Sequence, residues 1–265
     1  MKNTLKVALL LSAGLATGAA SAQMTDAEEI VEAANKASYY AGDDGRSAAR
    51  MTIVDDNGSR QRRQFTLLRQ DVVDGGDQRY LVVFSRPADI RGTVFRVEKH
   101  VGESDDRWLY LPALDLVKRI AAGDKRTSFV GSHFYYEDIS GRGIEEDRHA
   151  LIETTADEYV IESTPKDPDS VEFARYTTRI DRDTLLPMRT EYQRADGEVY
   201  RRMEVTEVDT IDGYPTGTEA RMEDLDSGGY TVTQFRFSDY DIGLPERIFS
   251  ERSLRNPPRD WLRRE

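Results

Sequence analysis

Cysteine is missing from the sequence altogether, which excludes disulfides, thiol nucleophiles, cysteine-zinc sites and the acylated cysteine that anchors a lipoprotein. Histidine is nearly as scarce. His100, His133 and His149 are the only ones, and none stands in a spacing used for catalysis or metal binding. Neither a glycine-rich phosphate loop nor a G-x-S-x-G elbow occurs. Past residue 22 no apolar run approaches the ~20 residues that span a bilayer. Positive charge is outweighed, with 37 Lys and Arg against 49 Asp and Glu and a formal charge of −12. That balance disfavours nucleic acid and unaided adhesion to anionic membranes.

The first residues, MKNTLKVALLLSAGLATGAASAQ, have a basic start at Lys2 and Lys6, an apolar run from Val7, and Ala20-Ser21-Ala22 as an A-x-A site. This is the plan of a secretory signal cleaved after Ala22. The apolar run is diluted by Ser, Gly and Thr and is too short for an anchor. Residues 1–22 therefore read as a signal peptide and Gln23 as the mature start. Export without cysteine fits a bacterial periplasm, where packing alone must hold the domain.

Thr25 to Tyr40 reads as a helix, with Thr25 and Glu28 as a capping box and Ile30, Val31, Ala34 and Ala37 on one face. From Ser47 the period changes to two. Met51 and Ile53 share a face, Asp55-Asp56-Asn57-Gly58 marks a hairpin, and Ser59 to Gln70 forms the return strand. Further strand candidates are Arg79 to Ser85, Thr93 to His100, Trp108 to Leu111, Val117 to Ala121, Arg148 to Glu153, Glu158 to Ser163, Glu172 to Ile180, Met188 to Gln193, Val199 to Val208, Thr218 to Leu225 and Tyr230 to Ser238. Alternation is clearest in Val199, Met203 and Val205 and in Thr218, Ala220 and Met222, each set opposed by charged neighbours. An antiparallel series with one apolar face must curl to cover it. Leu244 to Leu254 reads as a short helix, and Pro257-Pro258 opens a tail with Trp261.

The densest stretch is RWLYLPALDLVKRIAAGDKRTSFVGSHFYYEDI, Arg107 to Ile139. A strand stops at Pro112, a second follows, and Gly123-Asp124 marks a turn among Lys118, Arg119, Lys125 and Arg126. Phe129, Phe134, Tyr135 and Tyr136 then crowd around Gly131. The succession WLYLPAL, VKRI, GDKRTSFVGS, HFYYEDI resembles the signature segment of the LolA-like outer membrane lipoprotein-sorting proteins, a bacterial periplasmic family. The likeness extends from the N-terminal helix to the closing DIGLPERIFSERSL. One position departs: His133 stands where the family usually has an acidic residue. The resemblance implies a mainly β fold, a curved antiparallel half-barrel of about eleven strands with a helical lid, over residues 23–256, followed by a tail, 257–265. It also implies a non-enzymatic carrier without cofactor or metal, its cargo an acyl lipid or lipoprotein, with an inner-membrane RND or MMPL-type transporter as partner.

Candidate residues follow from the pattern. Met51, Ile53, Phe129, Phe134, Tyr135, Tyr136, Met188, Met203 and Met222 are expected to line an apolar cavity, the methionines as adaptable fillers and the aromatic run as a lid. Lys118, Arg119, Lys125 and Arg126 are expected to meet an anionic head group or a partner protein. Two alternatives remain open: a secreted serine-type hydrolase using Ser132 and His133, and a structural envelope protein without lipid ligand. A metal held by His133, Glu137 and Asp138 is disfavoured for want of a second His or any Cys.

Overall fold

A computed structural model of the chain describes residues 23–262. The expected signal peptide lies outside the described residues. Helix α1 spans Ala27–Tyr39 and is capped by Asp26, whose carboxylate accepts from the Glu29 amide at 3.0 Å. The cap is thus one residue later than the expected Thr25, and Asp is the better competitor because it also complements the helix dipole.

Thirteen strands follow. They are β1 (Asp44–Val54), β2 (Arg60–Asp71), β3 (Gln78–Arg86), β4 (Val94–Lys99), β5 (Asp106–Leu111), β6 (Leu116–Ile120), β7 (Asp147–Thr154), β8 (Glu158–Pro165), β9 (Arg175–Asp181), β10 (Pro187–Gln193), β11 (Val199–Ile211), β12 (Tyr214–Asp224) and β13 (Tyr230–Tyr240). All join one antiparallel sheet, ordered β6-β5-β4-β3-β2-β1-β13-β12-β11-β10-β9-β8-β7. The expected mainly β class is found, with two strands more than the expected eleven. The first and last strands pair in the middle, from Gly45 opposite Tyr240 to Val54 opposite Tyr230. The sheet's two edges, β6 and β7, are consecutive in the chain.

That order forces residues 121–146 to cross from one edge to the other. This strap contains the expected basic and aromatic residues and the short helix α2 (Tyr136–Ser140). It packs on the inner face of β2 to β5. Phe129 and Tyr136 join Phe65, Tyr80, Val82, Phe84, Phe95, Val97, Leu109 and Ile120 there, with Phe129 meeting Phe84, Phe95 and Tyr136 at ring distances of 5.4 to 5.7 Å. Because strand side chains alternate, Leu68, Leu81, Val83 and Val94 point outward. The C-terminal segment covers them with Leu244, Ile248, Phe249 and Leu254, the last on helix α3 (Arg252–Arg255). Trp261 and Leu262 pack on the same outer layer, so the described part of the expected tail is a brace. On the far side of the inner face, Ile30 and Ala34 of α1 pack on Tyr159, Ile161 and Ile180 of β8 and β9.

Candidate binding cavity

Between α1, the strap and the sheet lies a cavity of about 420 Å³, within the range of sites for small apolar ligands. Side chains from β1 to β3 and from β8 to β13 reach this one space, together with Val31, Ala34 and Tyr39 of α1. One sheet can surround one cavity in this way only by curling about it.

Strand register arranges the wall in rows. Tyr176, Tyr192 and Arg201 stand opposite one another on β9, β10 and β11. The next row is Thr178, Thr190, Met203 and Met222. The third is Val205, Ala220, Thr233 and Met51. A charged and aromatic border therefore grades into a hydroxyl and thioether row and then into one where Val205 and Ala220 add aliphatic surface. Phe65, Leu67, Phe134 and Phe235 extend the apolar wall.

The charged border is neutralised from within. Glu137, only 1% exposed, receives Arg126 at 2.6 Å and Lys125 at 2.8 Å, with Arg142 at 3.5 Å. Burial alone would push this carboxyl up, but the three cations prevail and hold it at about 2. Arg126 also forks onto Glu172 with two bonds of 2.8 Å and lies over the rings of Tyr135, Phe173 and Tyr192. Arg142 pairs with Asp147, and Arg201 with Asp138. This network ties the strap to β7, β10 and β11, so it fastens one edge of the sheet to the body on the other side.

The expected site residues separate into three groups. Met51, Phe134, Met203 and Met222 line the cavity. Ile53, Phe129 and Tyr136 are packed in the core under the strap, so Phe129 is not a lid. A ring that is 0% exposed among three other rings is a strut. Tyr135 stacks on Arg126 and Arg201 instead of facing the cavity. Met188 does not line it either, although Thr190 and Tyr192 on the same strand do. The register between β9 and β10 slips between Pro187 and Arg189, and such a bulge reverses the side on which the intervening residue emerges.

The four cations also divide. Lys118 is exposed, as is Arg119, with 69% of its side chain in solvent and Asp106 as its partner. Lys125 and Arg126, at 19% and 7%, belong to the buried network and are not free for a head group. Their carboxylate partners lie 11 to 46 residues away in sequence. No local spacing announces them.

Ser132 and His133 do not form a nucleophile and base. The Ser132 hydroxyl bonds to the Phe134 backbone, whereas the His133 ring meets the Thr231 hydroxyl at 2.8 Å and is lowered in pKa by burial. A side chain on Gly229 would come within 2.5 Å of that ring, so His133 and Gly229 fit each other as a packed joint between strap and sheet. His133, Glu137 and Asp138 do not converge as metal ligands among the described residues. The one cluster there with suitable atoms is Glu98, His100 and Asp106, whose carboxylates are already met by Arg96 and Arg119. Sequence reading missed Tyr39 and Tyr192. Both line the cavity, and the only sequence signal was a tyrosine at the end of the helix and another on the inward phase of β10.

An open antiparallel sheet curled around an apolar space, with a helix on its inner side, defines the architecture of lipoprotein-sorting carriers. A family model described as "-like: Uncharacterized protein" matches residues 76–256. A DUF1329 family protein from Desulfovibrio piger is 31% identical, with a TM-score of 0.78 over 86% of this chain and 98% of that one. A structure from Vibrio parahaemolyticus, described as an outer membrane lipoprotein-sorting protein domain, is 26% identical, with a TM-score of 0.77 over 87% of this chain and 98% of that one. A LolA superfamily protein from Nitrosomonas europaea shares the fold at 20% identity and a TM-score of 0.66, over 86% and 99%. No curated protein matches the chain. The chain belongs to the DUF1329 family and is similar to LolA-like, outer membrane lipoprotein-sorting proteins. Among the described residues no helix is long and apolar enough to cross a membrane.

Proposed function

We propose that the protein is a periplasmic, non-enzymatic carrier that takes the acyl part of a lipid or lipoprotein into the concave cavity for outer-membrane sorting, as accessory to an RND or MMPL-type exporter. The observation that carries this reading is the cavity itself: an apolar wall of methionine, phenylalanine and aliphatic side chains, backed by charges that are already paired. Residues 23–256 are the carrier unit. The tail braces its outer face, and Met51, Phe134, Met203 and Met222 are the cargo contacts. Helix α1, which packs on the second half of the sheet through few large side chains, is the element that would move as a lid. Lys118 and Arg119 remain for partner contact.

The energetics suit hand-over. Each methylene taken from water is worth ~0.8 kcal/mol, so about a dozen would supply ~10 kcal/mol gross, much of it offset by association. Relative to a bilayer or another apolar cavity the same chain gains almost nothing. Cargo can therefore pass between partners on small differences in affinity. Native mass spectrometry of protein from the periplasmic fraction tests the reading: bound masses that organic extraction removes, and that a fluorescent fatty-acid probe replaces, are expected. Protein that carries no lipid and takes up no acyl probe after extraction would refute it.

A further inference from the structure

Five tyrosines line the cavity, and their hydroxyls differ in a way that bears on cargo chemistry. Tyr80 donates to Gln78 at 2.6 Å, Tyr176 to Asp147 at 2.7 Å, and Tyr240 shares a 3.1 Å bond with Thr216. Tyr39 and Tyr192 have no such bond to their hydroxyls among the described residues, although both side chains line the cavity. Both rings are nonetheless fixed. Tyr39 lies against Gly141, where an added side chain would approach the ring to 2.7 Å, and under the Lys99 ammonium. Tyr192 is held by Phe173, Tyr176 and the Arg201 guanidinium. A phenol held rigidly in an apolar space without an acceptor is an unmade hydrogen bond.

The acceptor the two phenols await is constrained by the charges beside them. Arg69, Glu137, Asp138 and Arg142, the Arg, Asp and Glu side chains of the lining, are each engaged by protein partners. Within the lining no cation is left over to compensate a carboxylate or phosphate. Beside it, the Lys99 ammonium donates to the Ser140 carbonyl and Arg201 is paired with Asp138, and an incoming anion would meet Glu137 and Asp138. Burial, with Asp138 adding to it, raises the pKa of Tyr39, so the group stays a donor throughout the neutral range.

We propose, on the basis of the carrier reading above, that Tyr39 and Tyr192 donate to a neutral carbonyl oxygen of the cargo, so that the cavity takes fatty esters or amides in preference to free fatty acids. The chain of such a cargo lies along the Met203, Met222 and Met51 side, while its carbonyl sits at the aromatic border. The ligand class is thus an acyl group already joined to an alcohol or an amine.

Delipidated full-length mature protein, loaded with the neutral dye Nile red, is titrated at pH 7.5 with methyl oleate, oleate and 1-octadecene. Displacement by methyl oleate at about tenfold lower concentration than by either of the others is expected. The double variant Tyr39→Phe/Tyr192→Phe, which keeps both rings, should lose about tenfold for the ester, leave octadecene unchanged and melt at the wild-type temperature. If the double variant is unstable, the single variants are compared in the same titration. Equal displacement by ester and hydrocarbon, oleate as effective as the ester, or an unaltered ester titration in the variants would each overturn the assignment while leaving a carrier of plain acyl chains. Failure of all three ligands and of the dye to bind would overturn the carrier reading and this one with it.

Discussion

Strands β2 to β5 are covered on both faces, whereas β8 to β12 have protein on their inner face only. The first wall is sandwiched between the strap, with Phe129 and Tyr136, and the C-terminal segment, with Phe249 and Leu254. The second turns a lattice of ion pairs to solvent: Arg189 to Glu191 at 2.7 Å, Glu191 to Arg202 at 2.8 Å, Arg202 to Glu223 at 3.2 Å and Arg221 to Glu223 at 2.9 Å. Ion pairs at a solvent-facing surface, even partly covered as these are, contribute little each, while a doubly covered strand gains from two packed faces. A cavity wall can therefore be anchored on one side and thin on the other.

The contrast breaks most sharply at Phe129. Phe129→Ala should cost about 3 to 5 kcal/mol, because it empties a ring-filled site between strap and sheet; urea unfolding reads this directly, and a loss below about 1 kcal/mol would deny the strap its structural part. Next comes Glu137, the charge on which Lys125, Arg126 and Arg142 of the strap converge. Its carboxyl is held down at about 2 in the fold, from an ordinary value of 4.5. A depressed folded pKa gives stability that is present above the unfolded pKa and lost as pH falls through the folded one. About 3 kcal/mol should accordingly disappear between about pH 5 and pH 2. Glu137→Gln should remove a similar amount at neutral pH and flatten that part of the acid profile, and an unaltered profile in the variant would assign the acid loss to other groups.

Phe134 sharpens the comparison because it belongs to both structure and cavity. It is half-buried, packs against the strap core and lines the open space. Phe134→Ala should cost about 1 to 2 kcal/mol, roughly half of a full phenylalanine burial, and weaken binding of a fluorescent fatty-acid probe. A Phe129-sized loss with unaltered probe affinity would place it wholly in the core. The smallest effect is expected on the thin wall, where Arg202→Ala should change stability by ~0 to 1 kcal/mol and less still in high salt. A loss of several kcal/mol there would show that the ion-pair lattice, and not packing, supports the second wall.

Much of this was legible beforehand. Each of the thirteen strand candidates in the sequence corresponds to a strand, from Met51 and Ile53 in β1 to Tyr230 in β13, although the expected half-barrel had about eleven. The uninterrupted apolar run Leu81 to Phe84, set against the alternating Val199 to Val205, is a mark in the sequence of the doubly covered wall, one not used in assigning the strands above. What local pattern could not supply was pairing at a distance. Lys125 and Arg126 look like the same basic turn as Lys118 and Arg119 until Glu137 and Glu172 are brought to them. Phe129 and Phe134, five residues apart, could not be told apart as strut and cavity wall without knowing which strands the strap crosses. Met188 was misplaced by a bulge, and bulges leave no mark on alternation.

The pairing of β1 with β13 in the centre of the sheet also has a kinetic side. Ser47 and Ser238, joined by a 2.8 Å bond, are 191 residues apart, so the seam between the two walls is among the most non-local contacts of the fold and closes only when nearly the whole chain is available. Loop-closure entropy for such a contact must be met before any packing rewards it. Refolding should accordingly be slow, with two locally assembled meanders waiting on one another, and Met51 and Ile53 exposed on an unpaired strand in the interval. A chain threaded from its N-terminus would hold that sticky edge open the longest, which makes the waiting state, and not the finished sheet, the form most in need of a chaperone.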